Sequence, residues 1–321
     1  MAPTTPRRVL VDAPPYPMDT IRELLEGTGV TVQAPSRPWT GDDVVGLLVD
    51  RPISAADFDR LPALRVVASD SAGVDHIDLA AAARRRIWVC NVPDFCVDEV
   101  ADSTIALLLA LLRGTVTLDR SVRSGQWSDH AAGALRRVRA TRLGIVGFGR
   151  IGQAVTRRAL GLGMEVWATD PLVDPGSMAQ MGVRSADFDE LFRNCAALTL
   201  HLALTPETRG LIGSRELASM PAGSYLVNAA RGPLVDQAAL LAALETGQLA
   251  GAALDVLEVE PPSAERPAPQ HPNLIVTPHA AWYSPEAEEE VYRRATLSVR
   301  AVLEGRVPEG AVLAPLPKTP A

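Results

Sequence analysis

Four segments of the chain carry residues whose types and spacing could do chemistry. The glycine fingerprint Gly147-Phe-Gly-Arg-Ile-Gly152 comes first, and Arg231, Glu260 and His279 follow it along the chain. A GxGxxG pattern lets the backbone approach a pyrophosphate. A guanidinium can bind a carboxylate through two hydrogen bonds, and an imidazole held by a carboxylate can donate a proton. Together these residues predict hydride transfer between a bound dinucleotide and a keto acid.

The fingerprint has the local context that dinucleotide binding requires. Leu143–Gly147 predicts a strand and Ile151–Leu160 a helix, so the glycines fall at a strand-to-helix junction. Asp170 follows the next predicted strand, Glu165–Thr169, close to the spacing of ~20 residues expected for the acid that binds the adenosine ribose. A carboxylate there favours NAD(H) over NADP(H), because it repels a 2′-phosphate. The alternative is a glycine-rich turn that binds no ligand.

The three charged residues each follow a predicted strand. These strands are Tyr225–Asn228, Ala252–Val256 and Leu274–Thr277. Ligands of open α/β sheets bind at the carboxyl ends of strands, so we expect Arg231, Glu260 and His279 to lie near the same edge. Each residue alone has a simpler interpretation: Arg231 could pair with Asp236, Glu260 could be a loop charge, and His279 could be a turn histidine bonded to backbone.

Short β-branched runs alternate with amphipathic stretches, which predicts parallel α/β sheets. The first part of the chain offers strands at Val9–Val11, Val30–Gln33, Gly46–Val49, Val66–Ser69 and Trp88–Cys90, with helices at Thr20–Glu26, Ala55–Arg60 and Leu79–Arg85. Further helices are predicted from Asp98 to about Arg113, over Thr115–Ser124 and from Pro285 to Glu304. The proline-rich tail from Val307 is expected to be irregular.

Composition narrows the class of protein. At 321 residues the chain has room for two domains of the usual ~100–200 residues. A net charge of −7 and a pI near 5.3 argue against a nucleic-acid partner, since such proteins carry a basic face. An odd number of cysteines predicts a reduced, cytoplasmic compartment. No signal peptide, membrane span or zinc spacing is recognisable, so we expect neither a membrane nor a metal partner.

From about Leu64 to Val307 the chain resembles the D-isomer-specific 2-hydroxyacid dehydrogenases. The matching segments are Ala72–Asp78, Cys90–Pro93, Val100–Asp102, Gly147–Gly152, Leu200-His201 with Leu204–Thr208, Asn228–Asp236, Ala253–Pro261 and Thr277–Trp282. The resemblance implies two doubly wound parallel-sheet domains. A Rossmann-type NAD-binding domain would span 98–285, and a smaller flavodoxin-like substrate-binding domain would combine 1–97 with 286–321. It also implies a homodimer.

The resemblance implies roles for individual residues. Arg231 would bind the substrate carboxylate and carbonyl, His279 would be the acid/base, and Glu260 would be its partner. Asp255 would contact the nicotinamide amide. The other implied cofactor contacts are Val100, Gly147, Phe148, Gly149, Arg150, Ile151, Gly152, Asp170, Leu204, Thr205, Ala229 and Ala230. The loop of Ser71, Ala72 and Gly73 would hold the substrate carboxylate through its amides.

Segments 279–284 and 89–93 are most similar to the C-terminal-binding-protein branch, in which the tryptophan at the place of Trp282 walls the substrate pocket. A packing role is the alternative for Trp282. The chain also departs from the family pattern, because Ser69 stands where many relatives have arginine and Ser71 where glycine is frequent. One positive charge is thus missing, so we expect a poor fit for phosphorylated or dicarboxylic substrates.

Two other functions are compatible with parts of this pattern. An NAD(H)-sensing, corepressor-like interaction module would keep the dinucleotide site without turnover. The chain has no long extensions of the kind expected for such a module, which disfavours this function. A formate-type dehydrogenase needs no proton shuttle, and its members pair glutamine with histidine, so Glu260 speaks against that activity.

Overall fold

The computed structural model describes residues 6–12 and 16–314, and it divides the chain into two compact units. The terminal unit lies within 1–95 and 284–321, and the central unit is Cys96–Tyr283. The boundaries predicted from the sequence, 97/98 and 285/286, each lie two residues later than the boundaries in the structure. Each unit is an α/β domain built on one sheet.

The terminal unit contains a six-stranded sheet with the order β13-β5-β4-β3-β1-β2. Its strands are β1 (Arg7–Val11), β2 (Val30–Gln33), β3 (Val44–Val49), β4 (Val66–Ser69), β5 (Trp88–Cys90) and β13 (Ala311–Leu313). Its helices are α1 (Met18–Leu24), α2 (Ala55–Asp59), α3 (Leu79–Arg85) and α11 (Pro285–Leu303). The order 2-1-3-4-5 of the parallel strands is that of flavodoxin-like folds.

The expectation of an irregular tail is wrong for Ala311–Leu313. These residues form β13, which pairs antiparallel with β5 and places Ala311 opposite Cys90. The amide of Asn91 also donates to Gly310 O at 3.0 Å. A three-residue strand has too little periodicity to be recognised locally. Its hydrogen-bonding partner is supplied by a strand more than two hundred residues earlier.

The core of the terminal unit lies on both faces of the sheet, because its central strands are buried throughout. All six residues of β3 and all four of β4 are buried. Phe58, Leu47 and Val67 belong to the cluster on one face, while Leu48, Ala68 and residues of α11 such as Val291 form the other. Continuous apolar runs of this kind are typical of parallel strands covered on both faces.

The central unit contains a seven-stranded parallel sheet with the order β12-β11-β10-β9-β6-β7-β8. Its strands are β6 (Arg142–Val146), β7 (Glu165–Thr169), β8 (Arg184–Ser185), β9 (Ala197–Leu200), β10 (Ser224–Asn228), β11 (Leu249–Leu254) and β12 (Leu274–Val276). Its helices are α4 (Val97–Arg113), α5 (Thr115–Arg123), α6 (Arg150–Gly161), α7 (Pro175–Gln180), α8 (Phe188–Asn194), α9 (Ser214–Ser219) and α10 (Gln237–Glu245). The strand order reverses between β6 and β9, which is where dinucleotides bind in Rossmann-type sheets.

Helix α4 runs through the core of the central unit. Leu108 and Leu112 on its apolar side are fully buried, and Arg158 of α6 pairs with Asp98 and Asp102 on its polar side. Among the described residues no single helix is both long and apolar enough to cross a membrane. Only α4 and α5 taken together reach that length and composition, and they meet at a 60° bend.

Candidate active site

The glycine fingerprint forms the turn between β6 and α6. Gly147 has a φ of +94°, and a Cβ on it would lie 2.4 Å from His201 O. A Cβ on Gly152 would lie 2.2 Å from Gly147 O, whereas a Cβ on Gly149 would meet nothing within 4 Å. The first and last glycines are therefore required by the fold, since any side chain there would collide with backbone. Gly149 leaves the backbone open to a ligand.

The N-terminus of α6 and Asp170 complete this cradle. Gly149 provides no side chain that could cap the helix, so its first amides remain available to an anion. Asp170 Oδ2 accepts the Phe148 amide at 2.7 Å, and Oδ1 accepts the Leu172 amide at 2.9 Å. These bonds fix the carboxylate beside the glycine turn, and each oxygen can still accept another hydrogen bond. The residues present thus fit an NAD-type dinucleotide.

Arg231 lies on a loop that is shaped by the end of β10. Asn228 Nδ2 donates to Arg231 O at 2.9 Å, and its Oδ1 accepts the Ala230 amide at 3.0 Å. A Cβ on Gly232 would lie 1.8 Å from Leu257 O, so this loop packs directly on the backbone that leads to Glu260. Asp236, the alternative partner of Arg231, accepts the Ala239 amide and caps α10.

His279 and Glu260 form a hydrogen-bonded pair. His279 Nδ1 lies 2.7 Å from Glu260 Oε2, and Glu260 Oε1 accepts the Leu257 amide at 2.5 Å. A carboxylate partner assigns the Nδ1 position as the N–H of the ring. No described residue forms a hydrogen bond with Nε2, which leaves that nitrogen for a substrate.

Charge around Glu260 keeps its carboxylate ionised. Partial burial acts to raise the pKa of Glu260. The hydrogen bonds from His279 and the Leu257 amide, with the positive charges of His279 and Arg231, outweigh burial and lower that pKa below its ordinary value. Arg231 is therefore close enough to act on Glu260 electrostatically, so the three predicted catalytic side chains lie together in the central unit.

Asp255 holds the turn that carries His279. This buried carboxylate accepts hydrogen bonds from Thr277 Oγ1 at 2.6 Å and from the amides of Ala280 and Ala281 at 3.0 and 2.9 Å. The His279 amide donates to Asp255 O at 2.7 Å. His279 has a φ of +53°, which costs a non-glycine residue about 1 kcal/mol or more. The contacts to Asp255 stabilise this left-handed conformation.

The loop Ser71–Gly73 in the terminal unit offers free backbone donors. The carbonyls of Ser71, Ala72 and Gly73 accept hydrogen bonds from the Val92 amide at 3.1 Å, Asn91 Nδ2 at 2.6 Å and Ser71 Oγ at 2.5 Å. None of the described residues accepts a hydrogen bond from the amides of residues 72–74. With the carbonyls fixed, these amides can bind an anion.

Comparison with known proteins shows the family of this chain. Residues 105–281 match the family D-isomer specific 2-hydroxyacid dehydrogenase, NAD binding domain. A glyoxylate reductase of Korarchaeum cryptofilum is 39% identical over 274 residues, which cover 84% of this chain and 82% of that protein. The chain belongs to the D-isomer-specific 2-hydroxyacid dehydrogenases. It is therefore an NAD-dependent oxidoreductase of the CH–OH group.

Solved structures of other dehydrogenases share the fold. A glyoxylate reductase from Paecilomyes thermophila has a TM-score of 0.83 at 28% identity, covering 98% of this chain and 99% of that one. A D-lactate dehydrogenase from Aquifex aeolicus, solved with NAD and lactic acid, has a TM-score of 0.83 at 26% identity, covering 92% and 96%. These relatives do not single out the C-terminal-binding-protein branch, which stays a prediction for this dehydrogenase.

The remaining predicted site residues of the dehydrogenase lie in three settings. Phe148 and Val100 are buried in the central unit, so Phe148 can offer a ligand only its backbone. Arg150 and Thr205 are exposed, whereas Ile151, Leu204, Ala229, Ala230 and Trp282 are half-buried. The Trp282 ring packs edge-on against Tyr283, with centroids 5.6 Å apart.

Sequence reasoning missed the residues that support the dehydrogenase site. Asn228 shapes the Arg231 loop, Asn91 fixes the Ser71–Gly73 loop, and Thr277 bonds to Asp255. Asparagine at the end of a strand is the one local signal that could have identified the first two, because its amide readily bonds to nearby backbone. His201, which sequence reasoning left as structural, has its pKa lowered to about 3 by burial. Among the described residues no group of three or more potential ligands is arranged for a metal ion.

Proposed function

We propose that this dehydrogenase reduces small 2-keto acids with NADH, and that Arg231, Glu260 and His279 are its catalytic residues. The observation that carries the proposal is the 2.7 Å hydrogen bond between His279 Nδ1 and Glu260, formed where Arg231 also acts on Glu260. A cation, a carboxylate and an imidazole with a free Nε2 are the groups that carbonyl reduction requires.

Each residue has a distinct task in this scheme. Arg231 binds the substrate carboxylate and polarises the carbonyl. The loop Ser71–Gly73 stays a predicted carboxylate-binding loop of the terminal unit. Bound NADH supplies the hydride that reduces C2. His279 donates a proton from Nε2 to the carbonyl oxygen as negative charge develops there. Glu260 keeps the imidazole oriented and stabilises its charged form, and in the reverse direction the neutral imidazole accepts the proton.

The dinucleotide contacts follow from the cradle described above. The amides at the start of α6 bind the pyrophosphate, and Asp170 accepts hydrogen bonds from the adenosine ribose. Its negative charge excludes a 2′-phosphate, so NAD(H) is the proposed cofactor. Val100, Leu204, Thr205, Ala229 and Ala230 line the same site. Asp255 already accepts three hydrogen bonds. A contact between Asp255 and the nicotinamide amide would be a fourth.

A screen of NADH oxidation tests this function. Glyoxylate, hydroxypyruvate, pyruvate, phenylpyruvate and 4-methylthio-2-oxobutyrate cover small, polar, aromatic and thioether side chains. Reduction consumes a proton and should weaken as pH rises, whereas oxidation of the hydroxy acid releases a proton and should strengthen. His279→Gln should abolish both. A rate that is independent of pH in both directions would exclude His279 as the acid/base, and NADH binding without turnover of any acid would favour the sensing module.

Trp282 is the proposed wall of the substrate side-chain pocket. Trp282→Ala should change the order of preference among the bulky acids in the same screen, because removal of an indole opens space for larger side chains. An equal loss with every acid would instead assign Trp282 a packing role.

We also propose a cytoplasmic homodimer. Helix α5 and the segment that follows it leave two large apolar side chains exposed, since Val122 is 49% and Trp127 is 92% accessible. Exposed apolar side chains of this size mark interaction surfaces when they occur close together. Sedimentation of the purified protein tests the dimer, and Trp127→Ser should shift the equilibrium towards monomer.

A further inference from the structure

A chain of hydrogen bonds runs through the segment that follows β4 in the terminal unit. Ser71 Oγ donates to Gly73 O at 2.5 Å. Ser69 Oγ lies 2.8 Å from Ser71 Oγ and 3.2 Å from His76 Nε2. Because Ser69 is the last residue of β4, the chain connects the end of a buried strand to the loop Ser71–Gly73.

The last acceptor fixes the direction of this chain. Gly73 O carries no proton, so the bond to it uses the single proton of the Ser71 hydroxyl. The contact between Ser69 and Ser71 then requires the proton of the Ser69 hydroxyl. Since Ser69 has no second proton, the bond to His76 must be donated by Nε2. The chain therefore runs from the imidazole to the carbonyl, with the proton of His76 on Nε2.

Ser69 has no other described partner for its hydroxyl. The residue is fully buried, and among the described residues its Oγ bonds only to Ser71 and His76. Loss of either partner would leave a donor or an acceptor unused in the interior, which is unfavourable. Many relatives carry arginine at the place of Ser69. In this protein a neutral hydroxyl connects His76 to the loop where those relatives have a charged side chain.

The carbonyl at the end of the chain orients the amide of the next residue. A trans peptide group is planar, and its N–H points opposite to its C=O. With Gly73 O held by Ser71 Oγ, the Val74 amide points away from that hydroxyl. None of the described residues accepts a hydrogen bond from this amide, which leaves it for an anion bound at the loop.

The two preceding peptide groups are held by a different part of the terminal unit. Asn91 Nδ2 donates to Ala72 O at 2.6 Å, and the Val92 amide donates to Ser71 O at 3.1 Å. Both donors follow β5 and lie outside the hydrogen-bond chain. The loop thus has two supports, and only its third peptide group depends on the chain that begins at the imidazole.

We propose that Ser69 and His76 are positioning residues of the carboxylate-binding loop and act on it through Ser71. His76 donates to Ser69, so the Ser71 proton is directed at Gly73 O and the Val74 amide is oriented for the substrate carboxylate. This inference rests on the proposed function for the ligand of the loop. None of the three side chains touches a reacting atom in this scheme. Their loss should therefore weaken binding of every 2-keto acid alike, since all share the carboxylate, and leave the chemical step intact.

The test changes one N–H group at position 76. Glutamine and methionine side chains have similar length, but only glutamine can donate a hydrogen bond from its end. His76→Met should raise KM for the best acid of the screen about fivefold, the size expected from one lost hydrogen bond, with kcat unchanged. The Kd of oxamate, an unreactive analogue of pyruvate titrated calorimetrically with NADH present, should rise by the same factor. His76→Gln should restore both constants.

Two further variants and a control accompany this pair. Ser69→Ala and Ser71→Ala should reproduce the effect of His76→Met, because each interrupts the same chain. Ser36→Ala removes an exposed serine of the same unit and should change neither constant. A variant that only reduced the amount of folded enzyme would lower the apparent kcat and leave KM unchanged, so a structural defect gives the opposite pattern.

The position of the proton is measured by NMR of enzyme with nitrogen-labelled histidine. The ring signals of His76, assigned by their absence in His76→Gln, should show a proton on Nε2. A bare Nε2 would reverse the direction of the chain and overturn the proposal. Equal losses in His76→Met and His76→Gln would overturn it as well, because the effect would then not depend on donation.

Binding of oxamate separates this proposal from the proposed function. If no acid is reduced but oxamate binds, and His76→Met weakens its binding while His76→Gln restores it, the proposal holds and only the proposed function fails. If acids are reduced and neither KM nor the Kd of oxamate changes in His76→Met and Ser69→Ala, the proposal fails and the proposed function stands. An unmodified enzyme that does not bind oxamate would also overturn the proposal, since the loop would then hold no carboxylate.

Discussion

Glu260 and Asp70 both lie beyond the carboxyl ends of parallel strands, one in the central unit and one in the terminal unit, and their pKa values shift in opposite directions. Burial acts to raise the pKa of both carboxyl groups. Glu260 has an imidazole, a backbone amide and a guanidinium as partners, so its pKa falls. Asp70 has two other carboxylates and one phenol nearby, so its pKa rises to about 7.

The edge of a parallel sheet does not by itself decide whether a carboxyl group is ionised. Partners contributed by other strands and helices decide whether the group is a fixed negative charge or one that changes near neutral pH. Glu260 is suited to support a proton donor throughout the working range. Asp70 is suited to change its charge near neutral pH.

The largest expected effect comes from removing the cation in the central unit. Arg231→Ala should lower kcat/KM for reduction on the order of 10³-fold, because the developing oxyanion and the substrate carboxylate lose their charged donor. NADH affinity, measured by fluorescence, should be unchanged. Arg215→Ala, which removes an exposed arginine paired with Glu216, is the control. If Arg231→Ala retained turnover, Arg231 would have no role in the mechanism. The contrast between the partners of Glu260 and those of Asp70 would then have no consequence for catalysis.

Glu260→Gln should lower kcat about 10²-fold, as is typical when support for an acid/base is removed. The imidazolium loses its counter-ion, so the loss of reduction with rising pH should begin at lower pH than in the unmodified enzyme. A pH–rate profile measures this displacement. If the rate falls by the same factor at every pH, so that the pH dependence is unchanged, Glu260 does not affect proton donation by His279.

Asp70→Asn should stabilise the terminal unit in alkaline solution. The folded-state pKa of Asp70 lies above the unfolded value, so folding stability is full below about pH 4 and is lost as pH rises through about 7. An amide cannot ionise and avoids this loss. We expect a gain of about 4 kcal/mol at pH 8, since each unit of pKa shift corresponds to ~1.4 kcal/mol, together with a higher Tm at that pH, and little gain near pH 4. Scanning calorimetry at the two pH values provides the measurement, and an equal Tm difference at both would contradict the shift.

The smallest effect is expected from Tyr16→Phe. The Tyr16 phenol acts to lower the pKa of Asp70, so its removal should move the pH dependence of Tm to higher pH. The change should be small, because the Tyr16 hydroxyl forms no hydrogen bond of normal length in the described part of the chain. Tyr292→Phe is the matched control: burial first and then the charge of Asp70 raise the pKa of the Tyr292 phenol, and Tyr292 is not among the groups that lower the pKa of Asp70. If Tyr292→Phe moved the pH dependence of Tm further than Tyr16→Phe does, the phenol that acts on Asp70 would be that of Tyr292 on α11.

Much of the fold follows from local pattern. The strands of the terminal unit, the fingerprint turn and α11 were predicted to within a few residues, since each is marked by apolar runs, glycines or a proline at the first turn. β13 was missed because its three residues become a strand only by bonding to β5. The close approach of Gly232 to Leu257 O, which leaves no room for a Cβ, is visible only after folding.

The sequence alone determined which chemical groups are present and the order in which strands would deliver them. It identified the dinucleotide cradle because glycine spacing, helix start and acid lie within one βαβ segment, where local geometry is fixed by a few dihedral angles. Only the tertiary structure decided that His279 reaches Glu260 and that Asp70 pairs with no cation among the described residues. Contact and burial depend on residues far apart in the chain, and the free energy of an ionised carboxyl group depends on every charge and dipole that folding brings near it.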